Sequence, residues 1–217
     1  MKQSGIDLSS ECDPIEIEAL KQAINVAPSD GCALELGTAA GGTLKELINF
    51  SNSVGKRYNF HVIDPMTYYR DQLQKVKDNL KSAGINPEDV EFFIGTSEGF
   101  MKSNYFQDLS FSFVFIDADH RAYPLMKDLR ILRNLEEGGI ACFHDYKEKF
   151  PGVMWSLDHF LNKNSNYEYI SKEKSLVTIK KIKKTNDTEV ALSDLIGAKI
   201  FQYKHKYKRS INNRINK

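Results

Sequence analysis

The chain has 217 residues, of which 41% are hydrophobic and 27% charged, and its formal net charge is +1. This composition is typical of a soluble globular protein with one domain-sized core, and it excludes a disordered chain. A net charge near zero and the lack of a long apolar run give no reason to expect a specific nucleic-acid partner or a transmembrane segment.

Predicted helices and strands alternate along most of the chain. Asp13 and Pro14 suit the cap and first turn of a helix that runs to Ile24. The hydrophobic patterns then predict strands over residues 32–36, 58–63, 90–95, 111–116 and 140–143, and helices over residues 42–50, 69–82, 122–135 and 153–161. Gly138 and Gly139 are expected to end the helix that begins at Ala122.

Two further strands, residues 167–170 and 176–182, close the pattern as a hairpin or an adjacent pair. Alternating strands and helices predict an α/β fold with a mostly parallel sheet and helices on both faces. We divide the chain into a helical lead-in (1–30), an α/β domain (31–183) and a C-terminal helical basic tail (184–217).

The tail after Phe201 interleaves aromatic and basic residues and contains no acid. We interpret it as a solvated helix, and a basic surface for an acidic partner or a membrane is the alternative. The three cysteines, Cys12, Cys32 and Cys142, form neither a zinc pattern nor a disulfide framework. We therefore expect a reducing compartment, the cytoplasm.

A glycine-bearing turn joins the first strand to the next helix. The strand ends at Glu35 and Leu36, and Gly37 and Gly41 follow before the helix. Backbone N–H groups at such a junction face a ligand at the sheet edge, and the acid suits an ammonium group better than a phosphate. The second strand ends in Asp64, where a ribose-binding acid is expected. A purely architectural turn at either place is the alternative.

Ionisable side chains follow two later strands. Asp117, Asp119 and His120 follow the fourth strand, and His144 and Asp145 follow the fifth. Because the carboxyl ends of parallel strands meet at one edge, these groups should converge there. Two carboxylates predict a site for a hard divalent cation, and a nearby histidine acts as a base or joins the ligands. A cap of the next helix by Asp119 and a structural ion pair of a histidine are the alternatives.

The segments F-I-D-A-D-H, E-G-G-I and F-H-D-Y, together with the E-x-G-x-x-x-G turn, resemble the Methyltransf_24-type class I methyltransferases, which use S-adenosylmethionine (SAM). These segments are also similar to those of metal-dependent sugar O-methyltransferases. The resemblance covers roughly residues 30 to 182. It implies a Rossmann-like, doubly wound, mostly parallel seven-stranded sheet with an antiparallel last strand, and a SAM-binding methyltransferase domain over residues 31–183.

The resemblance also implies a role for each candidate residue. The cofactor-binding residues would be Glu35, Gly37, Gly41, Asp64, Thr96, Ser97 and Asp117, and the metal ligands Asp117, Asp145 and His144. His144 stands where the metal-dependent relatives usually place a second acid. Either Asp119 or His120 would be the base, because relatives use one or the other and this chain has both.

The implied activity is SAM-dependent O-methylation of a hydroxylated small molecule, sugar or glycan, with Mg²⁺ or Mn²⁺ as the metal. The main alternative is a nicotinamide-dependent oxidoreductase, which the absence of G-x-G-x-x-G disfavours. A non-catalytic SAM-binding interaction protein is the other alternative. Assembly into a homo-oligomer stays open at this stage.

Overall fold

The computed structural model describes residues 9–185 and 189–215, with side chains up to residue 207. Residues 1–8 of the predicted lead-in and residues 186–188, 216 and 217 of the predicted tail lie outside these ranges. The elements are α1 (Pro14–Val26), β1 (Asp30–Leu36), α2 (Gly42–Ser53), β2 (Arg57–Asp64), α3 (Gln72–Ser82), β3 (Val90–Ile94), α4 (Ser97–Met101), α5 (Asn104–Gln107), β4 (Phe111–Ile116), α6 (Ala122–Asp128), β5 (Leu135–Phe143), α7 (Pro151–Lys163), β6 (Tyr167–Glu173), β7 (Leu176–Lys181) and α8 (Leu192–Ile215), with 3₁₀ turns at Pro87–Asp89 and Leu129–Asn134.

One seven-stranded sheet has the order β3-β2-β1-β4-β5-β7-β6. Neighbours from β3 to β5 are parallel, whereas β7 is antiparallel to both β5 and β6. The predicted Rossmann-like, doubly wound fold is therefore confirmed. The chain reverses its direction of travel across the sheet between β1 and β4, and this switch point is where open α/β sheets bind ligands.

Helices cover both faces of the sheet and enclose two apolar cores. On one face, α1, α2 and α3 contribute side chains such as Leu20, Leu47 and Leu80, all buried. On the other face, α4 to α8 contribute side chains such as Leu125 and Leu157. All six residues of β4 are buried, as a central strand covered on both faces requires.

The region before β5 differs from the prediction. The helix over 122–135 is wrong in its second half, because α6 ends at Asp128, a 3₁₀ turn follows, and β5 already begins at Leu135. Gly138 and Gly139 do not end the helix but lie inside the strand. Phe111 pairs with Leu135 whereas Phe113 pairs with Ile140, so β5 bulges at the glycines. The two glycines therefore mark a bulge in a strand. From the sequence alone, glycines at a bulge look the same as glycines at the end of a helix.

Within the predicted C-terminal tail, Leu192–Ile215 forms one long helix, α8, which packs against α6 and α7. Phe201 stacks on Trp155 with ring centroids 5.1 Å apart, and Gln202 Oε1 accepts a hydrogen bond from Tyr123 N at 3.1 Å. The first half of the helix thus belongs to the folded core. Among the described residues, no helix is both long and apolar enough to cross a membrane.

Candidate active site

A cavity of about 1060 Å³ lies at the carboxyl ends of β1, β2, β4 and β5. Its lining includes every predicted site residue except Gly41: Glu35, Gly37, Asp64, Thr96, Ser97, Asp117, Asp119, His120, His144 and Asp145. Ser9 and Glu11 from the N-terminal segment also line it. The chain therefore gathers at the switch point most of the groups that the sequence pattern singled out.

The glycine loop, residues 37–41, forms one wall of this cavity. Gly37 has a φ of +83°, and a Cβ there would lie 2.4 Å from the backbone oxygen of Asp117. Gly41, the N-cap residue of α2, is also left-handed, with a φ of +79°. Only glycine adopts these angles without strain, and no side chain fits at Gly37. The loop can therefore approach a ligand by its backbone, with the N-terminus of α2 beside it.

Glu35 is buried at the base of this loop without a protein partner. Neither of its carboxylate oxygens, nor the hydroxyl of Thr38, has a hydrogen-bond partner among the described residues. Burial raises the pKa of Glu35 to about 8; the nearby Thr38 hydroxyl opposes this rise, and the charges of Asp117 and Asp64 contribute to it. An unpaired buried carboxylate is costly, so these atoms fit a ligand that brings hydrogen-bond donors or an ammonium group into the cavity.

Asp64 ties the ends of β1 and β2 together. Its Oδ2 accepts a hydrogen bond from Thr38 N at 2.9 Å, and its Oδ1 accepts from Met66 N at 2.6 Å and from Gln72 Nε2 at 3.3 Å. Gln72, which is buried, also donates to Ala39 O at 2.9 Å. The carboxylate is thus held rigidly at the cavity wall. With a single protein donor among the described residues, Oδ2 keeps an acceptor position that a ligand hydroxyl can occupy.

Thr96 and Ser97 begin α4 at another part of the wall. Thr96 is the N-cap residue, and its Oγ1 accepts from Gly99 N at 3.2 Å. The Ser97 hydroxyl donates to Oδ1 of Asp128, and burial raises the pKa of Asp128 to about 7. Both predicted residues therefore border the cavity while their side chains already have structural partners.

The ionisable cluster, Asp117, His120, His144 and Asp145, forms another part of the cavity wall. His120 Nε2 lies 3.0 Å from Asp145 Oδ2 and 3.5 Å from Asp117 Oδ1, and His144 Nδ1 lies 3.2 Å from Asp117 Oδ1. Burial raises the pKa of Asp117, but hydrogen bonds from His120 and His144 overcome this effect and lower the pKa to about 2. The Asp117 hydrogen bond raises the pKa of His120. The cluster is therefore a network of closely paired opposite charges.

His144 is held from both sides of its ring. Its Nε2 lies 3.0 Å from Glu16 Oε2, while its Nδ1 faces Asp117. Burial lowers the pKa of His144, but the contact with Asp117 outweighs this and raises the pKa to about 11. A carboxylate faces each ring nitrogen, so this arrangement favours the doubly protonated ring and engages both nitrogens. The predicted ligand role of His144 would require it to leave Glu16 or Asp117.

Asp119 and Asp145 have different surroundings. Asp119 is paired with the Arg121 guanidinium, whose Nε lies 2.9 Å from Oδ1 and 3.0 Å from Oδ2. Burial raises the pKa of Asp119, but the Arg121 hydrogen bonds lower it overall. Asp145 is buried, has a left-handed φ of 61°, and forms ion pairs with His120 and Lys147. A strained backbone at a cavity wall is typical of functional positions.

Asp117, His120 and Asp145 offer ligand atoms that all lie within 4.8 Å of one another. Two carboxylates and an imidazole suit Mn²⁺ or another transition ion, and the carboxylates alone suit Mg²⁺. The side chains present therefore fit a divalent cation. Such an ion would replace the Lys147 ammonium and the His120 proton as partners of the two acids.

Sequence reasoning missed three contributors to the site. Asp13 caps α1 as predicted, and Glu16 completes a capping box with it. The same Glu16 also accepts from Ser175 N at 2.9 Å and contacts His144, 128 residues along the chain. No local sequence pattern predicts that second role of Glu16, the buried position of Gln72 or the ion pair of Lys147.

Comparison with known proteins supports a single family. A family model described as a methyltransferase domain matches residues 34–146, more than half of the chain. The match runs from β1 to just past β5, so it includes the glycine loop and the ionisable cluster but not α1, β7 or α8. No curated protein matches the chain at a significant level.

Several solved structures share the fold at low sequence identity. The apo structure of CalS11, a TDP-rhamnose 3'-O-methyltransferase of calicheamicin biosynthesis, is similar with a TM-score of 0.61, 15% identity and coverage of 76% of each chain. An rRNA methylase from Streptococcus thermophilus is similar with a TM-score of 0.58 and 14% identity, and the match covers 81% of this chain and all of that chain. An O-methyltransferase from Bacillus cereus in complex with S-adenosylhomocysteine (SAH) is similar with a TM-score of 0.56 and 16% identity, and the match covers 79% of this chain and 83% of that chain. At this identity the likeness concerns the fold.

Proposed function

Since the chain belongs to the methyltransferase-domain family and is a SAM-dependent methyltransferase, we propose that it methylates a hydroxyl of a small molecule or sugar with the help of a divalent cation. The observation that carries this proposal is the ionisable cluster beside the glycine loop. His120 lies between Asp117 and Asp145 at the cavity wall, where an acceptor hydroxyl can meet both a base and two acidic ligands.

The glycine loop and the two acids beside it form the cofactor half of the proposed site. Gly37 lets the backbone approach the ligand, Asp64 receives the ribose hydroxyls, and Glu35 receives the ammonium group. When bound, SAM supplies an electrophilic methyl group on its sulfonium. The loop and the helix end hold the donor in one orientation, and alignment of donor and acceptor supplies much of the rate.

His120 is the proposed general base. Its Nε2 lies 3.0 Å from Asp145 and faces Asp117 at the cavity wall, where the neutral ring can take the hydroxyl proton. Asp119 is the weaker candidate because Arg121 holds its carboxylate and lowers its pKa. Phe150 packs near the His120 ring at a centroid distance of 4.4 Å and limits water beside it.

Asp117 and Asp145 are the proposed metal ligands, and His144 is a positioning residue that holds Asp117 in place rather than a ligand. A divalent cation bound there would lower the pKa of the acceptor hydroxyl. We further propose a cytoplasmic location, which the three free cysteines support, and leave the state of assembly to measurement.

Metal dependence is tested with chelation. Methyl transfer to a panel of hydroxylated sugars and phenols should fall in EDTA and return when Mg²⁺ or Mn²⁺ is added in excess. Asp117→Asn and Asp145→Asn should each lose this rescue, whereas Asp108→Asn, an exposed acid outside the cavity, should keep it. Full activity in EDTA would contradict the metal, and would leave His120 to act without one.

The cofactor is tested independently of the acceptor. Thermal unfolding with SAM and SAH should shift the midpoint upward, whereas NAD and NADP should not, because only a bound ligand stabilises the folded state. Stabilisation by NAD or NADP alone would favour the oxidoreductase. Binding of SAM with no turnover on hydroxyls, on RNA or on amines would favour a non-catalytic SAM-binding protein.

A further inference from the structure

Helix α8 presents an apolar stripe to solvent along the side that faces away from the core. Its inner side is packed, since Ala198 is fully buried and Phe201 stacks on Trp155. The stripe consists of five residues with exposed fractions of 49% to 71%: Leu192, Ile196, Ile200, Tyr203 and Tyr207. Exposed aliphatic and aromatic side chains on one unbroken helix face indicate a binding surface.

The spacing of the stripe places its members on a single face. Successive members are separated by three or four residues, which is the period of an α-helix. With a rise of about 1.5 Å per residue, the stripe is about 22 Å long. The helix thus has two apolar sides. One side packs against the core, and the other faces solvent.

Basic residues border this stripe. Lys204 and Lys206 are exposed, and the helical period places them on opposite flanks of Tyr203 and Tyr207. The one acid near the start of the helix, Asp194, is buried against His159 and Lys163. The sequence continues with Lys208, Arg209 and Arg214 and has no acid after Asp194. The outer side of α8 therefore combines apolar side chains with a purely positive charge.

We propose that α8 docks on an anionic phospholipid bilayer, with the stripe inserted between lipid head groups and the lysines against their phosphates. An interfacial helix of this kind needs an apolar face, a basic border and no spanning length. The cytoplasmic leaflet supplies the anionic surface. A second copy fits less well, because symmetric pairing of two α8 helices along the stripe would bring like-charged lysines together.

Co-sedimentation with vesicles tests the proposal on the full chain. The protein should bind vesicles of phosphatidylglycerol and phosphatidylcholine more tightly than vesicles of phosphatidylcholine alone, and added salt should weaken this binding. Lys204→Gln with Lys206→Gln should weaken partitioning about thirtyfold. Lys183→Gln with Lys184→Gln, two exposed lysines outside the helix, is the matched control and should have a much smaller effect.

The apolar contribution is tested in the same way. Ile196→Ser, Ile200→Ser and Tyr203→Ser combined should abolish partitioning. The control combines Ile170→Ser, Ile182→Ser and Tyr169→Ser, which are the same residue types with exposed fractions of 45% to 54% elsewhere on the surface. Circular dichroism and SAM-induced thermal shifts should be unchanged in both variants, since these side chains lie outside the core and the cavity.

Four results would overturn the proposal. Equal or absent binding to the two vesicle types would show that lipid charge does not drive docking. Unchanged vesicle binding of the stripe variant would show that the apolar stripe does not contribute to it. A dimer seen by light scattering that the stripe variant converts to a monomer would assign the stripe to a second copy. Binding to RNA that survives loss of the stripe, with no binding to vesicles, would assign the lysines to nucleic acid.

Discussion

The two halves of the cavity satisfy their buried polar groups in opposite ways. In the cofactor half, Glu35 and Thr38 keep buried polar atoms without partners among the described residues. In the ionisable cluster, Asp117 and Asp145 each have a cationic or hydrogen-bonding partner within reach, from His120, His144 or Lys147. The first half has buried polar atoms that a ligand can satisfy, whereas the second is complete alone and would have to exchange partners to bind the proposed cation.

This difference has an energetic consequence. Filling the cofactor half relieves an uncompensated burial, so ligand binding should stabilise the fold strongly. In the ionisable cluster the internal ion pairs already offset the cost of burial. Removal of one partner therefore leaves an unpaired charge buried in a low-dielectric environment. Loss of ligand binding, loss of turnover and loss of stability should therefore appear in different variants.

Gly37→Val should have the largest effect. Its Cβ would clash with the Asp117 backbone, and its side chain would occupy the cavity wall, so SAM binding should be undetectable by calorimetric titration. Gly84→Val is the matched control, because Gly84 has a similar φ of +77° with open space around the position of a Cβ. It should lower stability by about 1–2 kcal/mol through backbone strain while SAM affinity is unchanged. Equal loss of binding in both would assign the effect to strain.

His120→Ala should reduce turnover by about 10²–10⁴-fold while SAM affinity stays nearly intact. The raised pKa of His120 keeps the ring protonated above the ordinary value of 6.5, so wild-type turnover should rise with pH across that region until the ring is neutral. Steady-state rates over a pH series measure both effects. Asp119→Asn should be mild, and a severe Asp119→Asn with a mild His120→Ala would reverse the two roles.

Glu16→Ala should destabilise the protein by about 3–5 kcal/mol, the cost of leaving the buried His144 cation without one of its partners. Urea denaturation measures this loss. Glu18→Ala, an exposed acid on the same helix, should change the free energy of unfolding by well under about 1 kcal/mol. If the two variants unfold alike, the contact between α1 and the ionisable cluster contributes little.

Glu35→Gln should change the pH dependence of stability. The folded pKa of about 8 lies above the ordinary value of 4.5, so the folded state binds a proton that the unfolded chain releases between these pH values. Stability of the ligand-free protein should therefore fall as pH rises through this range. The variant should lack this contribution, as measured by unfolding at a series of pH values, and Glu18→Gln should retain it.

The sequence by itself determined the alternation of elements, the family and most of the polar residues that line the cavity. Each parallel strand carries a local apolar signal, and the polar residue just after it lies at the ligand edge by topology alone. The positions of Glu35, Asp64, Asp117 and Asp145 around one cavity follow from that rule. The resemblance to class I methyltransferases rested on the same segments, and the family match confirms it.

Only the tertiary structure decided how the charges are paired. The bulge at Gly138 and Gly139, the contact of Glu16 with His144 and the ion pair of Asp119 with Arg121 depend on groups brought together by packing. Hydrophobic periodicity reports which face of an element is buried, but it carries no information about which buried acid meets which base. A protonated His144 between two carboxylates is such a pairing, and for that reason its role could be read only from the folded chain.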